Sequence, residues 1–157
     1  MMLRSVLGAL AFLFSVGGVA HAAINEALEC SLPHDQAFAV VTALRLTQAD
    51  SLSQSYAPGD ARAFGLAPVR VSTVSDGEDD VLVVGVASAF DAVLPVVLAR
   101  RGLQACPDNY GSRDYCHFAG DSIGASLVVQ ADPDHVGFTV ITCSYALHHD
   151  GGDGRLQ

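Results

Sequence analysis

The stretch that decides the fold is residues 123–145, IGASLVVQADPDHVGFTVITCSY. Ile123, Ala125, Leu127 and Val129 alternate with Gly124, Ser126, Val128 and Gln130. That period of two belongs to a strand with two unlike faces. ADPDH (131–135) then places Asp132 and Pro133 at the first two positions of a type I turn. Val136, Phe138 and Val140 alternate with Gly137, Thr139 and Ile141, and the run continues to Cys143 and Tyr145. Two alternating runs around a turn predict a β-hairpin.

Working upstream, Val69, Val71 and Thr73 alternate with Arg70, Ser72 and Val74. After DGEDD (76–80) comes VLVVGVAS (81–88), apolar at nearly every position. These runs predict a second hairpin whose second strand is central, because both its faces are apolar. Ser88 to Asp91 resembles a capping box with Asp in place of Glu. Phe90, Val93, Leu94, Val97 and Leu98 form an apolar stripe, Arg100 and Arg101 suit the last turn, and Gly102 is a helix stop. A helix over 89–101 follows, with Pro95 as its weak point. Phe38, Val41 and Leu44 predict an amphipathic helix over 34–47, and Ile24, Leu28 and Cys30 a short helix before Pro33. Residues 48–65 read as a long connection that Tyr56 and Phe64 could pin to the body. Leu103 to Cys106 reads as a short strand, with Tyr115 to Phe118 returning beside it.

The sum is an α+β domain: a mostly antiparallel sheet of about five strands, with two main helices packed on one face and two disulfides. A parallel strand–helix–strand unit around 81–106 is the alternative topology.

Ahead of this domain lie one positive charge, Arg4, and an apolar uncharged run from Ser5 to Ala20. Ala20-His21-Ala22 places small residues at −3 and −1 of a peptidase site. Residues 1–22 therefore read as a cleaved signal peptide, 23–147 as a single domain and 148–157 as a disordered polar tail. The expected destination is the periplasm or the medium, with no membrane association after cleavage. All four cysteines lie in the exported part. In an oxidising compartment they predict two bridges. Of the three possible connectivities, the short polar loop bracketed by Cys106 and Cys116 favours that pair, which leaves Cys30 for Cys143.

Charge excludes several chemistries. All 8 basic residues are Arg, against 17 acidic residues, for a net charge of −9. Without lysine there is no Schiff base, P-loop lysine or Ser–Lys dyad. An acidic chain does not suit nucleic acid, whose phosphates need a basic face. No metal or cofactor is expected: DGEDD lacks a calcium-loop frame, ADPDH is accounted for as a turn, and the His148, His149, Asp150, Asp153 tail is too loose to hold a metal tightly. His34, His117 and His135 are scattered, and Asp114 and Asp121 flank His117 without a catalytic frame.

The candidate binding residues are Asp108, Asn109, Tyr110, Arg113, Asp114 and Tyr115, in the loop closed by Cys106 and Cys116. Tyr and Arg are enriched among interface anchors, and a staple reduces the entropy lost on docking. The expectation is a small acidic exported binding protein, an inhibitor or protective partner of another envelope or secreted protein with a basic surface. The alternatives are a small-molecule or metal-binding periplasmic protein, and an envelope hydrolase with His117 or His135 beside a Ser or Asp in a cleft.

Overall fold

Both hairpins form and share one sheet. The computed structural model describes residues 17–120 and 125–146. Its elements are α1 (Gly17–Leu28), α2 (His34–Thr42), β1 (Leu46–Ala49), β2 (Ser53–Tyr56), β3 (Pro68–Ser75), β4 (Asp79–Val86), α3 (Phe90–Arg101), β5 (Tyr115–Phe118), β6 (Ala125–Ala131) and β7 (Thr139–Ala146). Among the described residues the sheet has seven strands in the order β1-β2-β3-β4-β7-β6-β5. Every neighbouring pair is antiparallel. The α+β class holds, but among the described residues the sheet has more than five strands, and the short helix expected before Pro33 is the 12-residue α1, beside α2 and α3. The parallel unit around 81–106 does not occur: β4 lies between β3 and β7, antiparallel to both. Its central place follows from its apolar sequence.

Register sorts the side chains by face. One row runs Tyr56, Val71, Val84, Ile141, Val129, Cys116, and all six are buried. Beside it Thr73, Leu82, Cys143, Leu127 and Phe118 are also buried. Leu28, Ala37, Val41, Phe90, Val93 and Val97 from the helices join the same hydrophobic cluster. Each buried Val or Leu contributes about 1.5–3 kcal/mol relative to exposure. On the opposite face the row Ser55, Ser72, Val83, Thr142, Val128, His117 is only half-buried.

Several local expectations change. The 48–65 segment is not all connection: the β1–β2 hairpin, which begins at Leu46, is turned by Asp50, whose Oδ1 accepts from the N–H groups of Leu52 and Ser53 at 2.9 and 2.7 Å. Those bonds hold the Asp50 pKa below its usual value. The helix expected to reach Thr47 stops at Thr42, whose hydroxyl donates to the Phe38 carbonyl, and the chain leaves it to enter β1. Residues 103–106 are not a strand: Gly102, at φ 68°, ends α3 and the chain runs irregularly to Cys106. Ala89 rather than Ser88 caps α3, while the Ser88 carbonyl accepts from the fully buried Thr139 hydroxyl at 2.7 Å. Pro95 is an interior residue of α3, on its exposed side.

Two disulfides form, Cys30–Cys143 and Cys106–Cys116, the pairing expected. They are consistent with an oxidising compartment. The first ties the end of α1 to the middle of β7. Tyr56 and Phe64 are buried as anchors of the connection between β1 and β3. The Phe64 N–H donates to Glu29 Oε1 at 2.9 Å, and Arg100 reaches the same oxygen at 3.0 Å. Glu29 thus joins α1, the connection and α3 through one nearly buried carboxylate. The helix α1 runs through the expected cleavage point before Ala23. Among the described residues no helix is long and apolar enough to cross a membrane.

Candidate functional site

The Cys106–Cys116 loop lies at the β5 edge of the sheet, closed by its disulfide and by several hydrogen bonds. Tyr110 and Gly111 both have positive φ, 47° and 78°. The Ser112 N–H donates to the Asn109 carbonyl at 2.8 Å across them. Two successive left-handed residues closed by such a bond match the type I′ turn. Glycine suits this conformation; tyrosine does not, so the surroundings must hold it. Asp108 Oδ1 accepts from the Tyr110 N–H, and Asn109 Oδ1 from the Gly111 N–H, each at 3.0 Å. The loop pairs back onto its own strand through the His117 N–H, which donates to the Asp108 carbonyl at 2.8 Å.

This backbone presents three rings together. Tyr110 lies 5.8 Å from Tyr115 and 5.8 Å from His117, centroid to centroid. The Tyr110 hydroxyl stands 3.4 Å from Nδ1 of His117. Tyr110 itself is 69 % exposed. Tyr115 and His117 alternate with the buried Cys116 and Phe118, so their rings belong to the half-buried face of the sheet. The nearby Asp108 charge is the main reason the Tyr110 hydroxyl pKa is raised.

Of the six expected binding residues, Asp108, Asn109, Tyr110, Arg113 and Asp114 are exposed and Tyr115 is half-buried. Asp114 faces a different feature from the rings. It lines a groove of about 290 Å3 with Asp91 and Asp132, over Phe90, Val136 and Phe138. Val136 is fully exposed there. His117 also belongs to the loop's aromatic group: its spacing from Tyr115 puts both on one face of β5, but nothing in the sequence places Tyr110 beside them.

The other candidates are placed separately. In ADPDH, Asp132 Oδ1 accepts from the Asp134 N–H at 2.9 Å, and His135 Nδ1 lies 3.1 Å from Oδ2. The Asp134 bond is the first cause of the lowered Asp132 pKa. Arg70 lies across Gly85 and ends 3.7 Å from the same carboxylate. These residues, with Val69 and Phe138, line a cavity of about 190 Å3. His135 is therefore beside an Asp in a cleft, yet no hydroxyl bonds it among the described residues. In DGEDD, Asp76 caps its own turn, and Asp80 instead binds His34 Nε2 at 2.7 Å. His34 Nδ1 holds Asp35 at 2.8 Å. Burial lowers the His34 pKa most, but its bonds to Asp35 and Asp80 and their charges together raise it. No cluster of three metal-ligating residues occurs among the described residues. Asp121 and the tail residues His148, His149, Asp150 and Asp153 lie outside them.

No family model, curated protein or solved structure matches the chain.

Proposed function

We propose that the chain is an exported binding protein that presents the Cys106–Cys116 loop to a protein partner with a basic surface, as an inhibitor or protective partner. The observation that carries this reading is Tyr110: a 69 % exposed ring on a backbone fixed by a disulfide, a tight turn and two side-chain caps. A large ring held in place before binding loses little entropy on docking. Exposed Tyr on a rigid loop is the usual form of an interface anchor. The groove rimmed by Asp91, Asp114 and Asp132 lies at the end of the same loop and favours a cationic partner. The net charge of −9 acts in the same direction at longer range.

Two architectural readings go with it. The three helices cover the Leu82–Cys143 side of the sheet, leaving the Thr142–His117 side open for contact. Removal of residues 1–22 by a signal peptidase delivers the mature chain, starting at Ala23, to the periplasm or the medium.

The test is capture by the immobilised mature protein from an exported-protein fraction, at low and at high salt. A saturable partner held at low salt, weakened by salt and lost with Tyr110→Ala, is the expected result. Recovery of no saturable partner at either salt would overturn the reading.

A second reading has one observation in its favour. An apolar cleft of about 380 Å3 lies between α1 and α2, lined by Ile24, Val40, Leu44, Pro58 and Ala61, with His21 at its wall. Its size suits a small apolar ligand. Cleavage before Ala23 removes His21 and widens it. Native mass spectrometry of the exported protein shows a bound species if this reading holds; bare protein refutes it.

A further inference from the structure

We propose that the partner's contact with the loop is an arginine side chain, its guanidinium stacked on Tyr110 and flanked by Tyr115, His117 and Asp108. This deepens the reading of the loop as a protein-binding site and rests on it. The aromatic faces carry negative electrostatic potential, and Tyr binds cations there. Three rings stand within one guanidinium's reach, with Tyr110 5.8 Å from each of the other two. The group is not a packed core fragment, because its central ring is mostly in solvent. Nor is it a floppy one: Tyr110 sits at φ 47° between Asp108 and Gly111, with its N–H and that of Gly111 both capped. Asp108 supplies the counter-charge, and its field already raises the pKa of the Tyr110 hydroxyl. Among the described residues, no arginine of the chain occupies the rings, and Arg113 on the same loop is exposed.

Arginine is favoured over lysine on physical grounds. The guanidinium is planar, weakly hydrated and able to stack while still donating to a carboxylate; the ammonium is a compact, strongly hydrated charge. A neutral stacking ligand, such as a sugar ring, would use the same faces without needing Asp108.

The experiment uses the full disulfide-bonded chain and short Gly/Ser peptides carrying two arginines, two lysines or two citrullines. Ring-proton shifts of Tyr110, Tyr115 and His117 report binding by NMR. The arginine peptide should saturate, the lysine peptide should bind more weakly, and the neutral citrulline peptide should not shift the rings. Tyr110→Leu should weaken the arginine peptide by about two- to fivefold, the effect of an exposed cation–π contact. Tyr110→Phe, which keeps the ring, should bind as wild type, and Asp108→Asn should weaken binding. Equal binding of the arginine and lysine peptides with no effect of Tyr110→Leu would overturn the stacking contact, while leaving an acidic binding protein intact. Ring shifts with citrulline or a maltose oligosaccharide, and none with arginine, would also overturn it. The parent reading fails separately, when Tyr110→Ala captures protein as well as wild type.

Discussion

Removing the Cys30–Cys143 disulfide should destabilise the protein more than removing Cys106–Cys116, by about 2 kcal/mol. The two bridges differ mainly in the chain they close, with sequence separations of 113 and 10. In the chain-entropy model a loop of ~100 residues contributes about 4.7 kcal/mol, and a loop of ~15 residues about 3 kcal/mol. Alanine is the right replacement in both pairs, since Cys30, Cys116 and Cys143 are buried and serine would bury hydroxyls. Cys30 adds a local effect. Its φ is 56°, a left-handed conformation that costs a residue with a Cβ about 1–2 kcal/mol. Cys30→Gly with Cys143→Ala should therefore be about 1 kcal/mol more stable than the double alanine variant. A domain of this size has about 5–15 kcal/mol in total, so loss of the long bridge takes a large share. Urea unfolding under non-reducing conditions measures both pairs, with stability extrapolated linearly to water. Equal losses, or a larger loss for the Cys106–Cys116 pair, would refute reasoning from loop closure.

Three further outcomes follow from named contacts. Glu29→Ala leaves the buried Phe64 N–H without its acceptor and should cost about 1–3 kcal/mol, read from the same urea curves. The Arg101 contact, which goes to the Glu29 carbonyl, should survive. His34 has a raised pKa in the folded state, so its contribution is complete below the unfolded value of about 6.5 and fades as pH rises through the folded one. The wild-type stability advantage over His34→Gln should shrink across that interval, and a constant difference would contradict the Asp35 and Asp80 pairing. Gly111→Val puts a β-branched residue at φ 78° and should cost at least about 1 kcal/mol and loosen the loop, seen as faster amide exchange at Tyr110.

Much of the fold was legible where burial imposed a period on the sequence. The β6–β7 hairpin, the 69–86 hairpin and the helix stopped by Gly102 all carry an apolar face or a stop residue that leaves few alternatives, while Ile123 and Gly124 of the first run lie outside the described residues. The short loop between Cys106 and Cys116 favoured the cysteine pairing that forms, over two other connectivities. The β1–β2 hairpin was not legible because β1 is exposed at all four positions and β2 has one buried residue, so neither shows apolar alternation. Its signal was turn chemistry: Asp50 three residues before Ser53, where carboxylate, hydroxyl and backbone N–H close on each other. For the candidate site, the loop and its six residues could be read from composition and the flanking cysteines. The convergence of Tyr110 with His117, and of Arg70 with Asp132 across Gly85, depends on strand register and side-chain direction. Sequence separation alone does not encode either.

Partner binding through Tyr110 of the stapled loop sets the function proposed for the chain. The most direct measurement is the dissociation constant of the captured partner for wild-type protein and for Tyr110→Ala, at matched low salt with both disulfides intact. Binding at least about tenfold weaker is expected for the variant, the loss of roughly 1.4 kcal/mol or more that removal of an interface anchor brings. Equal dissociation constants for the two proteins would contradict it.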